Sequence, residues 1–579
     1  MNNNFRYLLA GLLIFLIILL QPIYLKWLGY GSGSETADRV VAVPDPSDLI
    51  ISSKNGALNK FENPVFEDEF TESFITIVSP LYTATLSNRS GGSLSSYVLT
   101  QLLSSENYKY KGGYDEYGMY DRDVPVSLIL SNKNYCQPCL AIYDDHEDQY
   151  NFINTPFHLM AYSGKSDTIF LDTGESISLK YVLNDNDGNI LIQKSVSFFA
   201  DNFISQHVFT VNEDHDDYIN NLELMWAGGL RPTEKRANED VEYGSGIISQ
   251  AKDIEDLQTN SPDKKIARTI YNGQTDWVAV RTKYFMSSLL IDHPGSFATL
   301  SAENMVFGDR ALTPLYHASV GFPLGVSTVS SRLYLGPLDI DHISATGTNL
   351  DATMNWGWAV IRPISKGILW VLKFMHNALH LNYGLVLLLF ALLIRLVTGP
   401  LTKKSFESTH KMQKIQPEIK KMQSKFKNDP QRLNRETMAM YKKHGVNPLG
   451  GCLPMALQMP LLMALFIVFR TTIEFRGQPF VLWITDLSKP DIVFSLPFSI
   501  PVYGDGVAIL PLLMGVTLFL TMRMSSATMD KNQKPIMYFM NGFFILLFNS
   551  FPSGLNLYYT AYNLMSFLQQ RSIKNKPSA

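Results

Sequence analysis

A polytopic α-helical membrane protein with a large external all-β domain is the fold class predicted for this 579-residue chain. Three observations predict it. Apolar runs occur at Tyr7–Leu20 and near 383–399, 453–471, 507–524, 535–551 and 554–570, each close to the ~20 residues a helix needs to cross a bilayer. Charge is segregated: residues 31–350 hold 22 Lys/Arg against 43 Asp/Glu, a net of −21, whereas residues 401–450 hold 12 against 4, a net of +8. Such sorting places parts of the chain in different compartments. Between about 65 and 345, short runs alternate with period 2 and are bounded by turns, the pattern of strands.

The first run, YLLAGLLIFLIILL after Arg6, has no small-x-small cleavage site before Lys26 and Trp27. It reads as an uncleaved anchor over 1–30 rather than a signal peptide. Residues 31–60 mix Gly, Ser, Asp and Pro and read as a linker. Residues 61–350 form the external domain, with FITIVSPLYTATLSN (74–88), QKSVSFF (193–199) and STVSSRLYLG (327–336) as its plainest strands. So many strands with little helix suggest a large antiparallel sandwich.

Cys136 and Cys139 form CQPC in this domain. The motif lacks the βαβ setting of a redox pair, and an external compartment favours a structural disulfide. Cys452 reads as a free thiol on the reducing side. The external histidines, His207 and His317 among them, show no metal-ligand spacing and read as solvated surface, as do the scattered acidic residues.

Residues 351–382 include an amphipathic segment, NWGWAVIRPISKGILWVLKFMHN, suited to the outer membrane surface. A membrane helix over 383–399 then ends at the Gly399-Pro400 pair. Residues 400–450 read as a basic helical hairpin broken near NDP (428–430), suited to lipid headgroups or ribosomal RNA. Residues 451–579 hold four further spans with short loops and a basic tail. The basic loop belongs in the cytoplasm, which puts the N-terminus and tail inside and the acidic domain outside.

Arg395 stands inside the second apolar run. It either snorkels to the cytoplasmic interface or lines a polar cavity. Helical side chains tilt back toward the N-terminus, which aims it at the bilayer interior. Facing lipid there costs ~2.5 kcal/mol or more, so a cavity is expected. Polar residues that suit its walls are Gln458 on the third span, Asn541 and Asn549 on the fifth, and Tyr558, Tyr559 and Asn563 on the last. No span has an Asp or Glu well inside it, so the expected partner is an anionic group arriving from elsewhere. Fourteen of the 22 methionines lie in 400–579, which suits a surface that accepts varied apolar partners.

The motifs R-x-x-x-x-PLTKKS (395–405), NPLGGCLPMALQMPLLMALF (447–466), LWITDLSKPD (482–491), LPLLMGVT (510–517) and FPSGLNLYY (551–559) resemble the YidC membrane protein insertases of Gram-negative bacteria. WVAVRTKYF (277–285) and YLGPLD (334–339) extend the resemblance into the external domain. It implies six transmembrane helices, five of them forming an insertase core, and a periplasmic β-supersandwich without enzymatic activity. It implies a hydrated groove open to cytoplasm and lipid, with Arg395 as groove arginine and Gln458 and Tyr559 as groove positions. Ala391 departs from relatives that carry a threonine there. The implied partners are nascent membrane proteins, the Sec translocon, lipids, and the ribosome through the 400–450 hairpin and the tail. No DNA and no cofactor are expected, and no G-x-x-x-x-G-K-[ST] occurs. Two other classes compete: a secondary transporter with an arginine-lined anion site, and a membrane-tethered carbohydrate enzyme.

Overall fold

A computed structural model describes residues 72–574, except 105–106, 116–117, 131–135, 145–148, 161–165, 186, 213–221, 260–265, 306–312, 324–325, 427–428, 446–452, 501–502 and 526–533. The anchor, the linker and Cys452 lie outside the described residues. The chain divides into a β unit ending at Met354 and a helical unit starting at Asn355.

Among the described residues, the β unit holds a thirteen-stranded sheet and a four-stranded sheet. The large sheet is antiparallel throughout, and its longest pair is Ile266–Arg281 with Phe285–Met305. The small sheet has one parallel pairing, Phe74–Val78 with Thr168–Phe170. Its inner face presents buried Ile77, Ala84, Leu86 and Tyr97. Tyr82 ties the two layers together: its ring stacks on Tyr97 at 4.8 Å and its hydroxyl donates to Phe199 O at 2.9 Å. Gly92 (φ +82°) lets the Ser90–Gly92 turn lie against the Tyr181 ring, where a Cβ would come within 2.6 Å of Cε2.

Alternation explains the core. In Ile190–Phe199, Ile192, Lys194, Val196 and Phe198 all point inward. Lys194 is thus a core residue, and its Nζ donates to Ser90 O (3.1 Å) and Pro138 O (3.0 Å). Pro138 belongs to the CQPC turn, in which the sulfurs of Cys136 and Cys139 lie at bonding distance and the Cα atoms 5.5 Å apart.

Not all external histidines and acids are solvated surface. His207 is fully buried, with Nε2 2.9 Å from Ser205 Oγ, and His317 Nδ1 accepts from Gly228 N–H. Glu223 is buried too, paired with Arg268 at 2.6 Å and accepting from the Tyr150 hydroxyl at 2.9 Å. Burial pushes that hydroxyl up to about 12, with the Glu223 charge adding to it. A buried carboxylate is tolerated here because cation and donors surround it. Among the described residues, no group of three or more His, Cys, Asp or Glu could hold a metal.

The two external motifs are structural. Trp277 is buried and its Nε1–H donates to Asn349 Oδ1 at 2.7 Å. Tyr334 donates to Pro337 O at 2.5 Å, and Asp339 caps the helix Ile340–Ser344 by accepting from Asp341 N–H at 3.0 Å. Asp339→Ala is expected to cost the β unit about 1 kcal/mol, read as a lower urea midpoint of the full chain.

The helical unit contains α1 (Arg362–Leu379), α2 (Tyr383–Lys425), α3 (Pro430–Lys443), α4 (Leu453–Thr471), α5 (Ile509–Ser525), α6 (Lys534–Phe548) and α7 (Ser553–Lys574). Their apolar stretches coincide with the five expected spans. By length and hydropathy one of them, Tyr383–Lys403, qualifies outright as a membrane-crossing helix. Shorter apolar helices run over Gln458–Thr471, Ile509–Arg523 and Met537–Phe548.

α1 buries Ser365, Ile368, Leu369 and Leu372 and exposes Trp370 and Phe374, the expected amphipathic division. It stops at His380, whose φ of +52° ends the helix. Asn382 then caps α2 by accepting from Leu385 N–H at 2.9 Å.

The expected stop at Gly399-Pro400 does not occur: α2 is continuous through Pro400 and Pro417 to Lys425. On either side of Pro400, Thr398 and Thr402 hydroxyls donate to Ile394 O (2.8 Å) and Thr398 O (2.7 Å). Neither bond reaches Leu396 O, the carbonyl that Pro400 leaves without its backbone donor, and hydroxyl bonds of this kind tend to bend a helix. The break near 428–430 is present, with Asp429 capping α3. Ile415 and Ile419 of α2 pack with Met440 and Tyr441 of α3 to close the hairpin.

Candidate functional site

The site grows from the inward face of α7. Asn556, Tyr559, Asn563, Ser566 and Gln570 recur at spacings of three and four, and all are buried. That spacing aligns them as one seam. A seam of this kind is costly to expose to lipid, so it must face protein or water. α7 packs on both α5 and α2. Asn556 Nδ2 donates to Phe548 O at 3.1 Å, which ties the N-terminal end of α7 to α6. Thr521 of α5 donates to Asn563 O at 3.2 Å, and Gln570 donates to Ser566 Oγ at 3.4 Å.

Arg395 of α2 meets α7 beside this seam, at Tyr562 and Gln569. The residue is only 6% exposed. Its Nη2 donates to Gln569 Oε1, and its guanidinium lies 5.5 Å from the Tyr562 ring centroid. Nε has no hydrogen-bond partner among the described residues. A ring face stabilises a cation by about 0.5–2 kcal/mol, and a neutral amide satisfies one of five donors. The guanidinium therefore sits in a polar, incompletely satisfied setting.

Gln569 also packs beside Gly399, one turn beyond Arg395, where a Cβ would lie 3.6 Å from its Nε2.

Tyr558 packs on Phe390 of α2 at 5.8 Å and on Tyr562 at 6.0 Å. Tyr559 lies against Phe548 at 6.0 Å, and its buried hydroxyl has no partner among the described residues. Asn563 is buried in the seam. Of the expected residues, Arg395 and Tyr558 thus join one aromatic and polar cluster through Tyr562, and Tyr559 and Asn563 share the helix that carries it. Gln458 does not join these hydrogen bonds: it is half-buried on α4, beside exposed Met459. Asn541 donates to Gly515 O at 3.4 Å between α5 and α6, and Asn549 is taken up by backbone at the end of α6.

Gln569 was not among the residues expected from sequence. The signal was present, since it lies one heptad after Tyr562 and within the last apolar run.

The comparisons agree with this architecture. Residues 374–579 match the family described as 60Kd inner membrane protein, and residues 126–371 match the YidC periplasmic domain. A membrane protein insertase YidC from Chloroherpeton thalassium is 32% identical over 524 residues, covering 86% of this chain and 82% of that protein. One from Chlorobium phaeovibrioides is 38% identical over 419 residues, covering 70% of each. A crystal structure of an active YidC insertase covers 88% of this chain and 93% of its own at 16% identity, with a TM-score of 0.33, an overlap too small to carry an argument. The matched residues span both units, and the chain belongs to the YidC family of membrane protein insertases, inner-membrane proteins with a β-rich periplasmic domain.

Proposed function

We propose that the chain inserts and folds newly made inner-membrane proteins by receiving their acidic, polar parts at Arg395 while their apolar segments pass into lipid along the α2–α7 surface. The observation that carries this is a buried guanidinium held by a neutral amide, with one N–H unpaired among the described residues. A cation satisfied by a carboxylate would have no such capacity. One held by an amide can exchange that partner for an anion, which adds the attraction of a full opposite charge and can pair with the guanidinium through two parallel bonds.

In this reading the seam of α7 and the ring of Tyr562 wall a hydrated groove open to cytoplasm and lipid. Tyr559 and Gln458 offer further polar contacts to the passing chain. Partition of the substrate's apolar segment supplies the driving force, at ~25 cal/mol per Å² buried, so neither a nucleotide nor a catalytic residue is required. Six spans place the N-terminus and tail in the cytoplasm and the connection 473–506 outside. The 400–450 hairpin and the tail face the ribosome and headgroups. The Sec translocon is a partner for larger substrates. The Cys136–Cys139 pair is a structural disulfide in an oxidising compartment.

Reconstituted liposomes test it. With a single-span substrate carrying an acidic external tail, Arg395→Ala is expected to lower protease protection of the tail about tenfold, roughly 1.4 kcal/mol of lost stabilisation. The same substrate with an uncharged tail is expected to insert as in wild type. Equal loss for both tails would make Arg395 structural and refute its role as receptor.

A further inference from the structure

The connection between α4 and α5 contains a two-stranded hairpin, Ile492–Ile500 paired with Gly504–Ala508. Its first strand reads IVFSLPFSI. Phe494, Leu496, Phe498 and Ile500 alternate with Ser495, Pro497 and Ser499 along the sequence, the period-2 pattern of a strand, and the pairing register shifts between Ser495 and Ile500. In a water-soluble fold those apolar residues would be buried. Here Phe494 is 62% exposed and Phe498 61%. The neighbouring turn adds Leu482, 84% exposed in the left-handed region at φ +61°, a conformation that disfavours leucine. An isolated hairpin is marginal in water, and an exposed apolar strand there invites aggregation.

The root of the hairpin is firmly held. Asp491 Oδ2 accepts from the N–H groups of Ile509 (3.2 Å) and Leu510 (2.8 Å), which begin α5, and from Trp483 Nε1–H (2.9 Å). Asn549, just past α6, accepts from Ala508 N–H (3.0 Å) and donates to Tyr503 O (2.8 Å) and Gly506 O (2.7 Å). The strands therefore leave from the level at which α5 starts and α6 ends. From there the exposed apolar surface continues onto Leu512, Leu513 and Val516 of α5. Over 492–508 the only charged residue is Asp505, which gives a polyanion or a charged partner nothing to hold.

We propose that this hairpin lies flat in the headgroup–acyl boundary of the bilayer, with Phe494, Leu496, Phe498 and Ile500 turned into lipid, as an interfacial anchor beside the core helices. The leaflet is the outer one if the topology proposed above holds. Flatness is a real constraint. At ~3.3 Å per residue a hairpin standing upright would carry Phe498 about 20 Å from its root, well into water.

The test uses the full chain in phosphatidylethanolamine/phosphatidylglycerol vesicles, with dansylalanine encoded singly at 494, 498, 505 or 516. Lipids bearing a nitroxide at acyl carbon 5 and aqueous iodide serve as the two quenchers. Lipid quenching at 494 and 498 is expected within about twofold of that at 516, and iodide quenching at both to be several-fold weaker than at 505. Lipid quenching at 494 and 516 but not at 498 means an upright hairpin and overturns the proposal. Shielding of 494 and 498 from both quenchers means that protein covers the face, and overturns it too. No lipid quenching at 516 would instead overturn the membrane placement of α5 on which the proposal rests.

Discussion

Gln569→Glu is expected to abolish insertion of acidic-tailed substrates, with a loss of about a hundredfold in protected tail, while neutral-tailed substrates insert at near wild-type levels. In the wild type the Arg395 guanidinium donates to the neutral oxygen of Gln569 and leaves Nε unpaired among the described residues. Glutamate is almost the same size and places a full charge at that oxygen. Two unit charges about 4 Å apart attract by about 4 kcal/mol at an effective dielectric of 20. Desolvation takes back part of this, and about 2.7 kcal/mol left over is a hundredfold. The resident carboxylate would neutralise the cation and repel the incoming tail. The fold should survive, because an ion pair replaces a hydrogen bond of the same geometry. Insertion assays with the two tails, alongside the tryptic pattern of the variant, check this. Unchanged acidic-tail insertion would mean that tails do not approach Arg395.

The second large effect concerns Lys194 of the β unit. Burial pushes its ammonium group down to about 7, against about 10.4 in the unfolded chain. Below pH 7 both states hold the proton, and folding bears the whole cost of a buried cation. Between pH 7 and about 10.4 the folded chain has released a proton that the unfolded chain keeps, so stability rises with pH at up to about 1.36 kcal/mol per unit. Above that window the contribution is level. His207, held well below its ordinary value by burial and by the Lys194 charge, adds a slope of the same sign below pH 6.5. Its effect is separable because it acts in acid. Lys194→Met abolishes the alkaline slope and strands the carbonyls of Ser90 and Pro138 that the ammonium holds. The stability of wild type minus that of the variant should therefore increase by about 2–3 kcal/mol from pH 7 to pH 9. Urea midpoints of the detergent-solubilised full chain at the two pH values would read it. Parallel curves would show that Lys194 keeps an ordinary pKa.

The same lysine marks how far alternation can be read. In QKSVSFF, placing Val196 and Phe198 inward places Lys194 inward as well, so its burial was implied by the very pattern that identified the strand. What could not be read was the environment awaiting it: two carbonyls from loops 56 and 104 residues away. The hairpin over 492–508 is a similar case. F-S-L-P-F-S-I alternates as clearly as any strand in the β domain, but it lies between apolar helices, where attention falls on hydropathy rather than on period. At Gly399-Pro400 local rules erred in the other direction. Proline's missing N–H forecast a stop, and the helix runs on through it to Lys425.

The positions of the apolar helices and the segregation of charge along the chain were legible in the residue order. Transfer energies and positive-inside bias sum over a segment, and such sums need no knowledge of packing. The surroundings of Arg395 were not legible. Its amide partner lies 174 residues away, and the rotation of α7 against α2 decides whether Gln569 or a neighbour on α7 meets the guanidinium. That rotation follows from rings and small residues packing between helices far apart in sequence, a property of shape that no local pattern encodes.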